Sequence, residues 1–98
     1  MRAKIEWVKP EEGGRSRPPS GEGSRPYSAP VKLGGSNEPW PPPEAWSLVV
    51  EKVEAPDLYT WEADVRFLVE GAPVQLLTTG RNFELYEGRL CVARGTLL

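Results

Sequence analysis

The chain has 98 residues, of which 39% are hydrophobic and 27% charged, enough for one domain with a single compact core. A net charge of −2 excludes a global attraction to nucleic acid or anionic lipid, so any phosphate binding has to come from a local patch. The absence of histidine and the single cysteine remove His-dependent triads, the usual zinc ligands and any disulfide framework, while eleven prolines and ten glycines favour turns over long helices.

From the start of the chain, Met1-Arg2-Ala3-Lys4 leads straight into a strand-like segment instead of an apolar signal core. In it Ala3, Ile5 and Trp7 alternate with Lys4 and Glu6, a period of two that turns one face to a core and the other to water. Residues 11–26 are rich in Gly, Pro, Ser and Arg and read as a loop. Tyr27 to Leu33 reads as a strand, and Pro26 and Pro30, lacking N–H donors, place it at an edge or beside a bulge. A second loop covers about 34–44 and contains Pro39-Trp40-Pro41-Pro42-Pro43.

Trp46, Leu48 and Val50 then alternate with Ser47 and Glu51. The clearest pattern runs from Trp61 to Glu70: Trp61, Ala63, Val65, Phe67 and Val69 point one way, and Leu68 alone breaks the polar face. Ala72 to Thr79 lacks the length and apolar stripe of a helix. Phe83 to Tyr86 and Arg89 to Leu97 flank Glu87-Gly88, which predicts a hairpin. Ala93 and Gly95 are small residues on one face of the last strand, where they permit close packing or a bend. Six short strands separated by turns predict a barrel or a sandwich, and closure into a barrel removes exposed edges.

The residue inventory assembles no acid, base and electrophile set, so a non-catalytic protein is expected. The acids fall on polar strand faces (Glu62, Asp64, Glu84) or in loops (Glu11, Glu12, Glu22). Cys91, between Leu90 and Val92, reads as a buried, inert thiol. No GxGxxG or GxxxxGK[ST] motif is present, so no nucleotide cofactor is expected, and no metal. With one cysteine and no run long enough to span a membrane, the expected setting is cytoplasmic.

The run Ala3-Lys4-Ile5-Glu6-Trp7-Val8-Lys9-Pro10-Glu11-Glu12-Gly13-Gly14-Arg15 resembles the opening strand and E-E-G-G-R loop of the C-terminal domain of elongation factor Tu. Arg25-Pro26-Tyr27 is similar to the family's Y-R-P segment, and Pro56-Asp57 stands where the family has a P-G-D turn. Ala63 to Val69 followed by Ala72-Pro73-Val74 resembles the strand ahead of its P-I-A segment. Phe83-Glu84-Leu85-Tyr86-Glu87-Gly88-Arg89 and Ala93-Arg94-Gly95 resemble its ending, one glycine shorter. Residues 34–46 have no counterpart, and Ser16 replaces the family's His or Thr.

The resemblance implies a single domain over residues 1–98, a six-stranded closed antiparallel Greek-key β-barrel. It further implies contact with the RNA backbone of a tRNA-like partner, carried over by position to Gly14, Arg15, Glu87 and Gly88. These 98 residues hold no GTPase domain, so GTP-dependent delivery of tRNA is not expected of them. On the residues themselves, Arg15, Arg17 and Arg25 can hold phosphates, with Tyr27 as a stacking surface, although Glu11, Glu12 and Glu22 share that loop. In the plainer alternative the loop is a turn, with Arg15 paired to a carboxylate. A third reading is a protein–protein interaction module, in which Trp40, Pro41 and Pro42 form a polyproline II ligand with an aromatic anchor.

Overall fold

The computed structural model describes residues 1–19, 26–34 and 46–98. Six strands form one closed sheet: β1 (Arg2–Trp7), β2 (Tyr27–Leu33), β3 (Ser47–Asp57), β4 (Thr60–Phe67), β5 (Asn82–Glu87) and β6 (Leu90–Leu97). Their order around the barrel is β1-β4-β3-β2-β5-β6, and β1 closes on β6. Every neighbouring pair is antiparallel. Three consecutive strands, β2, β3 and β4, lie side by side, and β1 returns next to β4 through the long first connection, which is a Greek key. Among the described residues no helix is long and apolar enough to cross a membrane.

Alternation decides which side chains meet inside. Ala3, Ile5 and Trp7 of β1 and Trp61, Ala63, Val65 and Phe67 of β4 are buried, while the residues between them face out. Leu48, Val50, Phe83, Leu85, Val92 and Leu97 complete the interior. Fully burying one such side chain is worth about 1.5–3 kcal/mol, and no polar or charged residue is buried among those described. Gly95 of β6 stands opposite Phe83 of β5, whose ring occupies the space where a β-carbon would be.

Several local features depart from simple alternation. Val92 and Ala93 are consecutive and both buried, because the β5–β6 register shifts between Leu85 and Tyr86 and so inserts an extra residue into β6. β3 carries two further irregularities between Lys52 and Asp57, and its second half, with Val53 and Pro56, lies exposed. The turn expected at Pro56-Asp57 falls later, at Leu58-Tyr59. Pro56 continues the strand, and the Tyr59 N–H donates to Asp57 Oδ1 at 2.8 Å. β4 ends at Phe67, so Val69, expected inside, is 53% exposed beside a chain bend. Residues 72–79 hold only a three-residue 3₁₀ turn, Val74–Leu76.

Candidate functional site

One end of the barrel gathers the end of β1, the loop that follows it, the start of β2 and the β5–β6 turn. The loop is built tightly. Pro10–Glu12 forms a single 3₁₀ turn that stops at Gly13, whose φ of 91° is left-handed. The N–H groups of Glu12 and Gly14 both donate to the Lys9 carbonyl, and that of Gly13 to Pro10. Gly14 then passes so close to β1 that a β-carbon would lie 1.9 Å from the Val8 carbonyl oxygen. These amides are therefore engaged within the loop, and Gly14 acts by position: its lack of a side chain lets the chain return over Val8.

That return delivers Arg15. Its Nη1 donates to Glu87 Oε2 at 3.0 Å, and its guanidinium lies 5.3 Å from the centre of the Tyr27 ring. The Tyr27 hydroxyl donates to the same Glu87 oxygen. Three residues from three separate parts of the chain thus form one cluster. Glu87 is held there by a two-residue hairpin loop, Gly88-Arg89. Gly88 has a φ of 62° and Arg89 a negative one, the combination of a type II′ turn.

The cluster rests on aromatic packing. Tyr27 meets Trp7 edge to face at 5.3 Å, and Trp7 meets Trp61 at 4.8 Å. The Lys52 ammonium lies over the Trp61 ring, 5.5 Å from its centre. Each aromatic pair adds about 0.5–1.5 kcal/mol beyond its burial, so Tyr27 has a rigid support. With Arg15 over the ring and Trp7 at its edge, Tyr27 serves to fix the cluster.

Burial, then the Glu87 hydrogen bond and the Glu87 charge, raise the Tyr27 phenol above its ordinary value near 10.0, against a smaller opposing effect of Arg15. Because the folded-state value lies above the unfolded one, the neutral phenol's contribution to stability is complete below pH 10 and is lost as pH rises through the folded value. Glu87→Gln removes part of the upward push. In a Tyr59→Phe, Tyr86→Phe background, an ultraviolet tyrosinate titration is expected to show Tyr27 ionising at lower pH in Glu87→Gln than with Glu87 intact.

Of the other residues singled out by sequence, Arg17 is exposed and makes no ion pair among the described residues. Arg25, Trp40, Pro41 and Pro42 lie outside the described residues. Sequence reading did not single out Trp7 as the support of Tyr27, nor Arg89, which the turn presents beside Glu87. The turn glycine was the available signal for Arg89. Cys91 is half-buried, not buried. Its thiol donates toward Glu84 Oε2 (3.7 Å) or the Ala93 carbonyl (3.6 Å), and desolvation with the Glu84 charge raises its pKa, which disfavours the reactive thiolate.

No protein-family model, curated protein or solved structure matches this chain.

Proposed function

We propose that the protein is a non-catalytic, cytoplasmic binding module of the elongation factor Tu C-terminal type, whose Arg15 end holds an RNA phosphate backbone of tRNA-like form. The observation that supports this reading is the meeting of Arg15, Tyr27 and Glu87, since the resemblance puts the family's RNA contacts on that loop and that hairpin turn. Arginine has five N–H donors in a fixed fork. One of them, on Nη1, is committed to Glu87, and the partly exposed guanidinium keeps others that can reach a phosphate. Glu87 and Tyr27 pre-orient the guanidinium, reducing the entropy lost on binding. Arg17 and Arg89, both exposed, lie two residues along the chain from Arg15 and Glu87 and can add further phosphate contacts.

The contact is with backbone and not with bases. Arg15 over the Tyr27 ring takes the position a stacked base would need, and the glycine amides bond within their own loop. Affinity should then follow counterion release. Three arginines give a log–log salt slope of about −2 to −3, or roughly a 15- to 60-fold loss between 50 and 200 mM salt. Filter binding of a tRNA at low salt tests this: retention is expected, and it should fall at least about tenfold in Arg15→Ala, Arg17→Ala. No retention, or retention indifferent to the substitutions, would falsify the reading.

A protein partner is the second reading, favoured by one observation at the opposite end of the barrel. Leu68, Val69 and Val74 are 57%, 53% and 66% exposed within a single connection.

A further inference from the structure

A cleft of about 470 Å³ opens on the outer wall formed by β1, β6, β5 and β2, toward the end of the barrel away from Arg15. That volume is of the size that takes small metabolites. The register explains its lining. Lys4 of β1 stands opposite Thr96 of β6, which stands opposite Asn82 of β5. Thr96 Oγ1 donates to Asn82 Oδ1 at 3.0 Å, so the centre of the cleft is a hydrogen-bonded polar pair. Arg94 lies two residues from Thr96 on the same strand face, and Lys32 of β2 stands opposite Glu84 of β5, diagonal to Asn82. Neighbouring strands are about 4.8 Å apart, so these long side chains can converge over the pair.

The charges in the cleft are unbalanced. Three cations, Lys4, Lys32 and Arg94, face two carboxylates, Glu6 and Glu84, a local balance of +1 on a protein whose net charge is −2. Lys4 pairs with Glu6 at 3.4 Å on exposed side chains, where such pairs are weak, and exposed Arg94 reaches half-buried Glu84 only at 3.9 Å. Glu84 is further engaged by the Tyr86 hydroxyl at 3.3 Å and the Cys91 thiol at 3.7 Å. Half-buried Lys32 has no ion pair among the described residues, although the register sets it opposite Glu84. Beside it, Leu33 supplies an apolar surface.

We propose that this cleft binds a small organic anion, a phosphate ester or a polycarboxylate. Its charged group sits over the Asn82–Thr96 pair between Lys4, Arg94 and Lys32, and its body lies against Leu33. The site is separate from the Arg15 cluster and does not depend on RNA binding.

Nuclear magnetic resonance titration of the full ¹⁵N-labelled chain at low salt, with adenosine 5′-monophosphate and with citrate as probes, tests the site. Saturable shifts are expected at the Asn82, Thr96 and Lys32 amides with at least one probe; the one that binds identifies the anion class. Lys32→Ala, Arg94→Ala should weaken binding by about tenfold or more while keeping a folded spectrum, since both side chains point outward. Arg15→Ala should leave it unchanged. The absence of saturable shifts at these amides with either probe, or equal affinity in the folded double variant, would overturn the proposal.

Discussion

Gly95→Ala is expected to lower the stability of the barrel by about 2–3 kcal/mol, the cost of overpacking a well-filled core. The sign is the informative part. In an ordinary strand, alanine in place of glycine stabilises by about 0.5–1 kcal/mol, because glycine loses more backbone freedom on folding. Here a β-carbon would stand 2.2 Å from Phe83 Cζ and within 2.7 Å of two other ring carbons. Phe83 is 1% exposed and cannot swing into solvent. Urea unfolding of Gly95→Ala, Phe83→Leu and the double variant measures the coupling. The alanine should cost clearly less once the ring is shortened. An unchanged cost would mean that backbone conformation, and not the ring, requires the glycine.

Gly14→Ala should be nearly as damaging, for a different reason and with a wider consequence. Its β-carbon would meet the backbone of Val8, at 1.9 Å from the carbonyl oxygen and 2.5 Å from the carbonyl carbon. Val8 is itself fixed, since its N–H donates to the Val92 carbonyl at 2.9 Å. The loop must therefore lift, and Arg15 moves with it. Thermal unfolding should show a loss of about 2–3 kcal/mol. The Tyr27 titration should shift as well, because the Arg15–Glu87–Tyr27 cluster comes apart. Gly13→Ala is the contrasting case. No atom lies within 4 Å of a β-carbon there, so only the left-handed φ of 91° opposes it, at about 1–2 kcal/mol.

The strands were legible because alternation is a direct trace of a sheet with one buried face. Trp61, Ala63, Val65 and Phe67 fall inside as the pattern predicts, and the small residue Gly95 marks a close approach. Val92 and Ala93 were not legible as a buried pair, because the register shift that turns both inward depends on β5 and leaves no local sign. Val69 continues the alternation of β4 in sequence, yet among the described residues no neighbouring strand extends to cover it, and it is exposed. Pro56 suggests a turn, but proline is compatible with an irregular, exposed strand end, and the Asp57 side chain sets the turn after itself.

The candidate site was legible in pieces. A loop arginine, a strand tyrosine and a hairpin glutamate are ordinary residues taken singly, and no spacing rule links 15, 27 and 87. Only strand order brings them together, because β2 and β6 both flank β5. The pairing of Arg15 with Glu87 is what the plainer reading of the loop expects, a tight turn whose arginine meets a carboxylate. Trp7, read from sequence as a core residue, is that and also the support of Tyr27.

The most direct test of the proposed function is where RNA touches the barrel. A tRNA-derived helix added to the ¹⁵N-labelled protein at low salt should shift the amides of Gly14, Arg15, Gly88 and Arg89, with small changes at Leu68, Val69 and Val74. The shifts should collapse as salt is raised. Shifts centred on Leu68, Val69 and Val74, or none at the Arg15 end, would contradict it.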